Sequence, residues 1–161
     1  MTVNHKLKPA LSWLAVLLFM LAIYFLSAHP AGISNAYSKG IVAFLVENAL
    51  KLTGKAITDQ DMLRLISEVN SVAREYMHGV VFFVLGMLVH NAVRQCGARG
   101  VKAVAAALAI CVVYGITDEI HQILVPGRAF QLSDLVMDAA GSVIGICVVW
   151  ALYRKEKDLS G

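Results

Sequence analysis

Four long apolar runs constrain the fold of this chain more than any other feature of its sequence. The first run, 10–28, contains no charged residue, and an α-helix needs about 20 apolar residues to cross a bilayer core of ~30 Å. Further runs occupy about 77–93, 101–124 and 135–153. Hydrophobic residues make up 58% of the chain and charged residues only 16%, whereas soluble domains are about half apolar and a quarter charged. We therefore predict an all-α membrane protein with four transmembrane helices in a single domain, residues 1–161.

The first apolar run has an alternative interpretation as a cleaved secretory signal peptide, because Lys6 and Lys8 precede it. Signal peptides carry an apolar region of only about 7–15 residues. This run is longer, and Pro30 lies just beyond the favoured cleavage position. We therefore expect it to be a retained transmembrane helix.

The segment between the first two apolar runs, 29–76, is the least hydrophobic part of the chain. Its proline, glycine and polar residues at 30–35 predict a loop. Helical spacing of apolar residues over 41–52 predicts a short amphipathic helix on the membrane surface or over the bundle. Thr58-x-x-Asp61 predicts an N-terminal cap for a helix that continues into the second span. The alternative for this segment is a solvated connector.

Basic residues cluster before the first apolar run, between the second and third, and after the fourth, whereas the 125–133 loop has only Arg128. Because basic loops favour the cytoplasmic side, we expect a multi-pass protein of the plasma (inner) membrane with both termini in the cytoplasm. His90, beside one basic loop, is expected to be solvated. A formal net charge of +3 is too small to indicate a nucleic-acid partner.

Ionisable residues are concentrated around the turn between the third and fourth spans, in an otherwise apolar sequence. Such residues are expensive within a membrane and usually serve a function. On the fourth span, carboxylates and glycines share one helix face, and Gly141-x-x-x-Gly145 permits close approach of another helix. We expect one outward-facing binding pocket, lined by Arg74, His78, Glu119, Gln122, Arg128, Asp134 and Asp138.

Several chemical roles are open to these residues. We expect Arg128 to form a salt bridge with a pocket carboxylate, although it can bind a phosphate with the same geometry. Glu119 and Asp138 are the candidates for general acid/base catalysis. A metal site would use His78 with two of Glu119, Asp134 and Asp138, but no short ligand spacing such as HExxH is present, so we predict no metal and no cofactor. The alternative to all of these is a network of paired charges that only stabilises the fold.

The combined pattern resembles the VanZ-like family of small bacterial integral membrane proteins. The residues that carry the resemblance are Arg74-x-x-x-His78, Leu85-Gly86, Glu119-x-x-Gln122, Pro126-Gly127-Arg128, Asp134 and Gly141-x-x-x-Gly145. The resemblance implies a four-span cell-envelope protein linked to tolerance of glycopeptide antibiotics such as teicoplanin. Asp138 departs from the asparagine that we expect at this position in the family.

Three function hypotheses follow from these observations. The first is a non-enzymatic envelope protein that contacts membrane lipids and binds an envelope lipid or a glycopeptide component. The second is a small integral-membrane enzyme, a hydrolase or transferase that acts on an envelope lipid or a phosphate-bearing substrate. The third, a proton-coupled carrier, is disfavoured by four short spans without a broken helix, unless the protein forms an oligomer.

Overall fold

The computed structural model describes residues 7–55 and 57–159, which form helices and no strand. The helices are α1 (Leu7–Ser27), α2 (Ala31–Thr53), α3 (Asp59–Gln95), α4 (Gly100–Ile123) and α5 (Leu132–Leu159). Four of them, α1, α3, α4 and α5, are long and apolar enough to cross a membrane. The prediction of an all-α protein with four transmembrane helices is confirmed.

The helices α3 and α5 form the central pair of the bundle; α4 packs against both of them, and α1 packs against α3 and α4. Phe82 and Leu85 of α3 and Ile146 of α5 are buried between the helices. Large apolar side chains also cover the outside, for example Leu17 and Leu18 of α1. A continuous apolar exterior of this kind suits acyl chains, because lipid is as apolar as the helix surface it contacts.

Small residues bring the backbones of α3 and α5 into direct contact. A Cβ atom added at Gly141 would overlap the carbonyl group of Gly79, and one at Gly145 would overlap the carbonyl oxygen of Phe83. The close helix approach predicted from Gly141-x-x-x-Gly145 is confirmed. It places His78, which precedes Gly79, directly beside α5.

One end of the bundle gathers the basic segments of the chain. The indole Nε1 of Trp13 donates to Cys96 Sγ at 3.2 Å, and the hydroxyl of Tyr153 donates to Asn91 Oδ1 at 2.7 Å. The guanidinium of Arg94 lies 3.9 Å from the centre of the Tyr153 ring. The start of α1, the α3–α4 loop and the last part of α5 therefore lie together, and the α4–α5 loop lies at the opposite end.

His90 lies on the part of α3 nearest this basic end and is fully buried, with 0% of its surface exposed. Neither ring nitrogen has a hydrogen-bond partner among the described residues. The expectation of a solvated histidine is wrong, because this face of α3 is turned towards the other helices. Its neighbours Val89 and Ala92 are likewise fully buried.

The segment that follows α1 differs from the expected loop and short helix. A single helix of 23 residues, α2, begins directly after Pro30 and ends at Gly54. Pro30 has φ −52° and ψ 142°, and a proline at a helix start loses no helical hydrogen bond. Gly54 ends the helix with φ +66°, a left-handed conformation that glycine adopts without a steric penalty. The loop predicted at 30–35 is therefore wrong.

The start of α3 follows the sequence prediction. Thr58 Oγ1 accepts a hydrogen bond from the backbone N–H of Asp61 at 3.2 Å and donates to the Asp61 carboxylate at 2.6 Å. From this cap, α3 continues for 37 residues without a break. The predicted continuity between the amphipathic segment and the second span is confirmed.

Candidate functional site

His78 lies between two carboxylates of α5. Its Nε2 is 3.6 Å from Asp134 Oδ2, and its Nδ1 is 3.4 Å from Asp138 Oδ1. Asp134 and Asp138 are four residues apart and therefore share one face of α5. The glycine contact described above holds this face against α3, so both acids reach one imidazole.

Glu119 of α4 approaches the same imidazole from a third helix and is completely buried. Its Oε2 accepts a hydrogen bond from the backbone N–H of Gln131 at 2.9 Å, which ties α4 to the start of α5. Its Oε1 has no partner among the described residues. One ligand atom each of His78, Glu119 and Asp134 lie within 4.8 Å of one another. The fold therefore brings together three side chains that are far apart in sequence and whose chemical types can ligate a metal.

Asp118 is a further buried acid of this site that was not among the expected pocket residues. Its Oδ2 accepts hydrogen bonds from Ser27 Oγ and from Gln122 Nε2, each at 3.0 Å. The bond from Gln122 follows from the four-residue spacing on α4. The bond from Ser27 joins α1 to α4 and has no signal in the sequence, because the two residues are 91 positions apart.

Arg128 binds neutral oxygen atoms. Its Nη1 donates to Gln122 Oε1 and its Nε donates to the backbone carbonyl of His29, both at 3.3 Å. The expected salt bridge with Glu119, Asp134 or Asp138 is wrong: none is formed among these residues, all of which the structure describes.

The path of the α4–α5 turn explains this outcome. It directs the guanidinium of Arg128 back over the end of α4 and towards the α1–α2 junction. Burial lowers the pKa of Arg128, and the charge of Arg74 lowers it further, although Asp118 and other nearby carboxylates raise it. Arginine nevertheless stays protonated in proteins, so the turn presents a permanent cation.

Two adjoining hollows open at this end of the bundle. The larger, here called the polar cavity, has a volume of about 510 Å³, and the smaller, the apolar groove, about 270 Å³. Arg74, His78 and Arg128 line both. The polar cavity is also lined by Asn35, Lys39, Ser67, Asn70, Ser71, Glu75, Gly127, Ala129, Gln131, Ser133 and Asp134. The apolar groove is also lined by Ile23, Leu26, Met77, Val81 and Phe82, together with the polar residues Ser27, Ser34, Ser38 and Asp118.

Of the seven residues expected to line one pocket, four line the polar cavity: Arg74, His78, Arg128 and Asp134. Glu119, Gln122 and Asp138 are almost completely buried and are absent from the walls of both hollows. They contact the lining residues from behind, Gln122 through Arg128 and Asp138 through His78.

The family model described as VanZ/LLP1 matches residues 12–153, a range that includes α2, α3, α4, the polar cavity and most of α1 and α5. The chain belongs to the VanZ/LLP1 family. No curated protein and no solved structure matches the chain. Membership confirms the resemblance drawn from the sequence, and with the four apolar helices it fits a membrane protein of the cell envelope.

In this VanZ/LLP1 protein, α2 supplies one wall of the polar cavity. Asn70 Nδ2 of α3 donates to Asn35 Oδ1 of α2 at 2.7 Å, and Lys39 lies one turn further along α2 on the cavity wall. Sequence analysis missed these residues because the segment around Asn35 was assigned to a loop. The polar face formed by Asn35 and Lys39 is the signal that would have found them, since a four-residue spacing indicates one helix face.

Proposed function

We propose that this protein binds the phosphate-bearing headgroup of an anionic envelope lipid in the polar cavity, with the acyl chains in the apolar groove. The observation that carries the proposal is the position of Arg74 and Arg128, which line both hollows. An anionic lipid has its charge at the junction between a polar head and an apolar tail. Two arginines at the junction of a polar and an apolar space match that arrangement.

The state of the two arginines supports a ligand of negative charge. The side chain of Arg74 has no hydrogen-bond or ion-pair partner among the residues that the structure describes, and Arg128 donates only to neutral oxygens there. Guanidinium groups bind phosphate oxygens through two parallel hydrogen bonds. Both residues therefore keep donors available for an incoming phosphate.

Size and polarity favour a lipid over a glycopeptide. A volume of about 510 Å³ is within the range of about 300–1,000 Å³ that small-molecule pockets occupy, and it suits a headgroup better than a whole glycopeptide. The adjoining groove is lined in part by the apolar side chains of Ile23, Leu26 and Met77. A water-soluble ligand would not cover these side chains, whereas an acyl chain would. A link between the family and glycopeptide tolerance is compatible with a protein that binds an envelope lipid.

Charge distribution supports an outward-facing cavity in the plasma membrane, with both termini in the cytoplasm. The basic segments lie together at the end opposite the α4–α5 loop, and positive charge is favoured on the cytoplasmic side. In a Cys96→Ser, Cys147→Ser background, a cysteine at Phe130 should react with an impermeant maleimide in intact cells. A cysteine at Lys102 should react only after permeabilisation, and the reverse pattern would place the cavity on the cytoplasmic side.

Binding is tested with the purified protein in detergent, using native mass spectrometry and thermal unfolding. Phosphatidylglycerol is compared with a diacylglycerol of the same acyl chains, which lacks the phosphate. Hydrogen bonds to charged groups contribute about 1.5–3 kcal/mol, so Arg128→Gln and Arg74→Gln should each weaken phosphatidylglycerol binding roughly 10- to 100-fold. Arg64→Gln is the matched control, because Arg64 is exposed on α3 and outside both hollows. Equal binding of the two lipids, or an equal loss in Arg64→Gln, would contradict the proposal.

A second candidate function is hydrolysis or transfer at the lipid phosphate, and one observation favours it. Glu119 has a completely buried carboxylate with an oxygen that has no partner among the described residues, which suits a general acid or base; Asp138, equally buried, is the other acid candidate. Phosphorus NMR of phosphatidylglycerol incubated with the protein distinguishes the two functions. Headgroup release that is lost in Glu119→Gln, while the lipid still binds, indicates an enzyme. Stable lipid with unchanged binding indicates a binding protein.

A further inference from the structure

We propose that His78, Glu119 and Asp134 form a binding site for a divalent transition-metal ion, Zn²⁺ or Mn²⁺, at the floor of the polar cavity. One ligand atom of each residue lies within 4.8 Å of the other two. The three residues come from α3, α4 and α5, so the site exists only in the folded bundle. This geometry is the first of four observations that carry the proposal.

The second observation is the unpaired oxygen of Glu119. The residue is completely buried, and its Oε1 has no partner among the described residues. Its other oxygen is held by the backbone N–H of Gln131. A buried charged group without a partner is costly, and a cation among these three residues would supply the missing contact.

The third observation is the excess of buried carboxyl groups over cationic side chains. Four carboxylates are buried at this end of the bundle: Asp118, Glu119, Asp134 and Asp138. The side chain of His78 makes the only ion-pair contacts with them among the described residues. Buried charges in proteins are paired or coordinate metals. His78 contacts only Asp134 and Asp138, whereas a divalent ion would neutralise two carboxylates.

The fourth observation is the arrangement of groups behind the three ligands. His78 presents Nε2 towards Asp134 and Nδ1 towards Asp138 Oδ1, at 3.4 Å. Metal-binding histidines usually donate their second N–H to a carboxylate or carbonyl, which orients the ring. Ser133 Oγ donates to Asp134 Oδ1 at 3.3 Å, and Gln131 orients Glu119. Every ligand therefore has a supporting contact.

The ligand set and the spacing indicate the kind of ion. Imidazole nitrogen favours zinc and its neighbours in the transition series, and carboxylates also accept manganese. Ligand atoms around a tetrahedral ion lie about 3.4 Å apart, since each is about 2.1 Å from the metal. The 3.6 Å between His78 Nε2 and Asp134 Oδ2 fits this value. The largest separation that the group allows, 4.8 Å, exceeds the tetrahedral value by about 1.4 Å, so the ligand side chains would draw together by up to that amount around an ion.

The site also has room for a fourth ligand. His78 and Asp134 line the polar cavity, and three protein ligands with one open position are typical of metal sites that bind a further molecule. A phosphate oxygen of the lipid headgroup is the fourth ligand that we expect, and this part of the inference rests on the proposed function. Metal binding itself does not require the lipid.

The test uses the full-length protein, purified without a histidine tag and stripped of metal with a chelator. Equilibrium titration with Zn²⁺, Mn²⁺ and Mg²⁺ should show one Zn²⁺ or Mn²⁺ per chain and weaker Mg²⁺ binding. His78→Gln, Glu119→Gln and Asp134→Asn should each lower the affinity by more than about 100-fold, since loss of a mere supporting contact costs about 10- to 100-fold. Glu68→Gln is the control, because Glu68 is exposed on α3 and lies outside the ligand group and both hollows; it should retain the affinity.

A measurement on the unmodified protein covers the case in which a variant fails to fold. Pulsed electron paramagnetic resonance of bound Mn²⁺ should detect coupling to one imidazole nitrogen. Substoichiometric binding, absence of nitrogen coupling, or an equal loss of affinity in Glu68→Gln would overturn the metal site. Phosphatidylglycerol titration of the metal-free and the Zn²⁺-loaded protein separates the two proposals. Lipid binding that needs the arginines but no metal supports the lipid proposal alone, and metal binding without lipid binding supports the metal site alone.

Discussion

Substitution of Gly141 by alanine tests whether the contact between α3 and α5 determines both stability and the site. The added Cβ would overlap the carbonyl oxygen of Gly79 and lie 2.8 Å from its carbonyl carbon. Both are backbone atoms, so no side-chain rotation relieves the overlap. The two central helices must therefore move apart, by about 1 Å if normal van der Waals separation is restored.

The expected loss of stability follows from two opposing effects. Overpacking of a well-packed core costs about 1–3 kcal/mol, and the upper value applies here because backbone has to move. Alanine is favoured over glycine inside a helix by about 1 kcal/mol, which leaves a net loss of roughly 2 kcal/mol. Gly40→Ala is the matched control, because Gly40 lies within α2 and an added Cβ there has no atom within 4 Å. It should be stabilised by up to about 1 kcal/mol.

Equilibrium unfolding in detergent, followed by near-ultraviolet circular dichroism, measures the difference between the two variants, about 3 kcal/mol. Separation of the helices also moves His78 of α3 away from Asp134 and Asp138 of α5. The Gly141→Ala variant should therefore bind Zn²⁺ more weakly as well, whereas Gly40→Ala should bind it normally. Equal stability of the two variants would refute the argument that backbone contact holds α3 against α5.

Three further predictions concern buried polar groups and a helix cap. Asp138→Asn should leave thermal stability in the metal-free protein unchanged or raise it, because an asparagine oxygen still faces His78 without a buried charge; a lower melting temperature would contradict this. His90→Leu should raise the free energy of unfolding by about 1–3 kcal/mol, since it removes two buried nitrogens that lack partners in the described part of the chain; destabilisation in the same unfolding assay would indicate a hidden partner. Thr58→Ala should lower the free energy of unfolding by about 1 kcal/mol, because it removes the N-terminal cap. It should also speed amide hydrogen exchange at the start of α3. Thr53→Ala, an exposed control at the end of α2, should leave that exchange unchanged.

The number of spans was predictable because the signal is local. A run of about 20 apolar residues satisfies all its backbone hydrogen bonds as a helix and is long enough to cross a bilayer. The Thr58 cap and the Gly141-x-x-x-Gly145 contact were predictable for the same reason, since each depends on spacing within one helix. The start of α2 was not predictable in this way. Pro30, Gly32 and Ser34 favour turns on average, but here Pro30 directly precedes a helix, where its missing N–H removes no helical hydrogen bond.

The composition of the site was predictable, and its pairings were not. Charged residues in apolar helices identified His78 and the acids, because their burial requires compensation whatever the fold. Which partner each one meets depends on how the helices are rotated and where the loops lead. The turn after α4 places Arg128 in contact with Gln122 and His29. The close approach of α5 to α3 places His78 in contact with Asp134 and Asp138.

The sequence by itself determined that the protein is a four-span helical bundle with polar residues around one turn, because length, hydropathy and short-range spacing act within single helices. Only the tertiary structure decided that Ser27 binds Asp118, that His90 is buried, and that Glu119 meets His78. These contacts join residues that are distant in sequence. Their geometry depends on the rotation of each helix about its own axis. A largely apolar helix surface specifies that rotation weakly, so the glycine contacts and the buried polar groups select one packing.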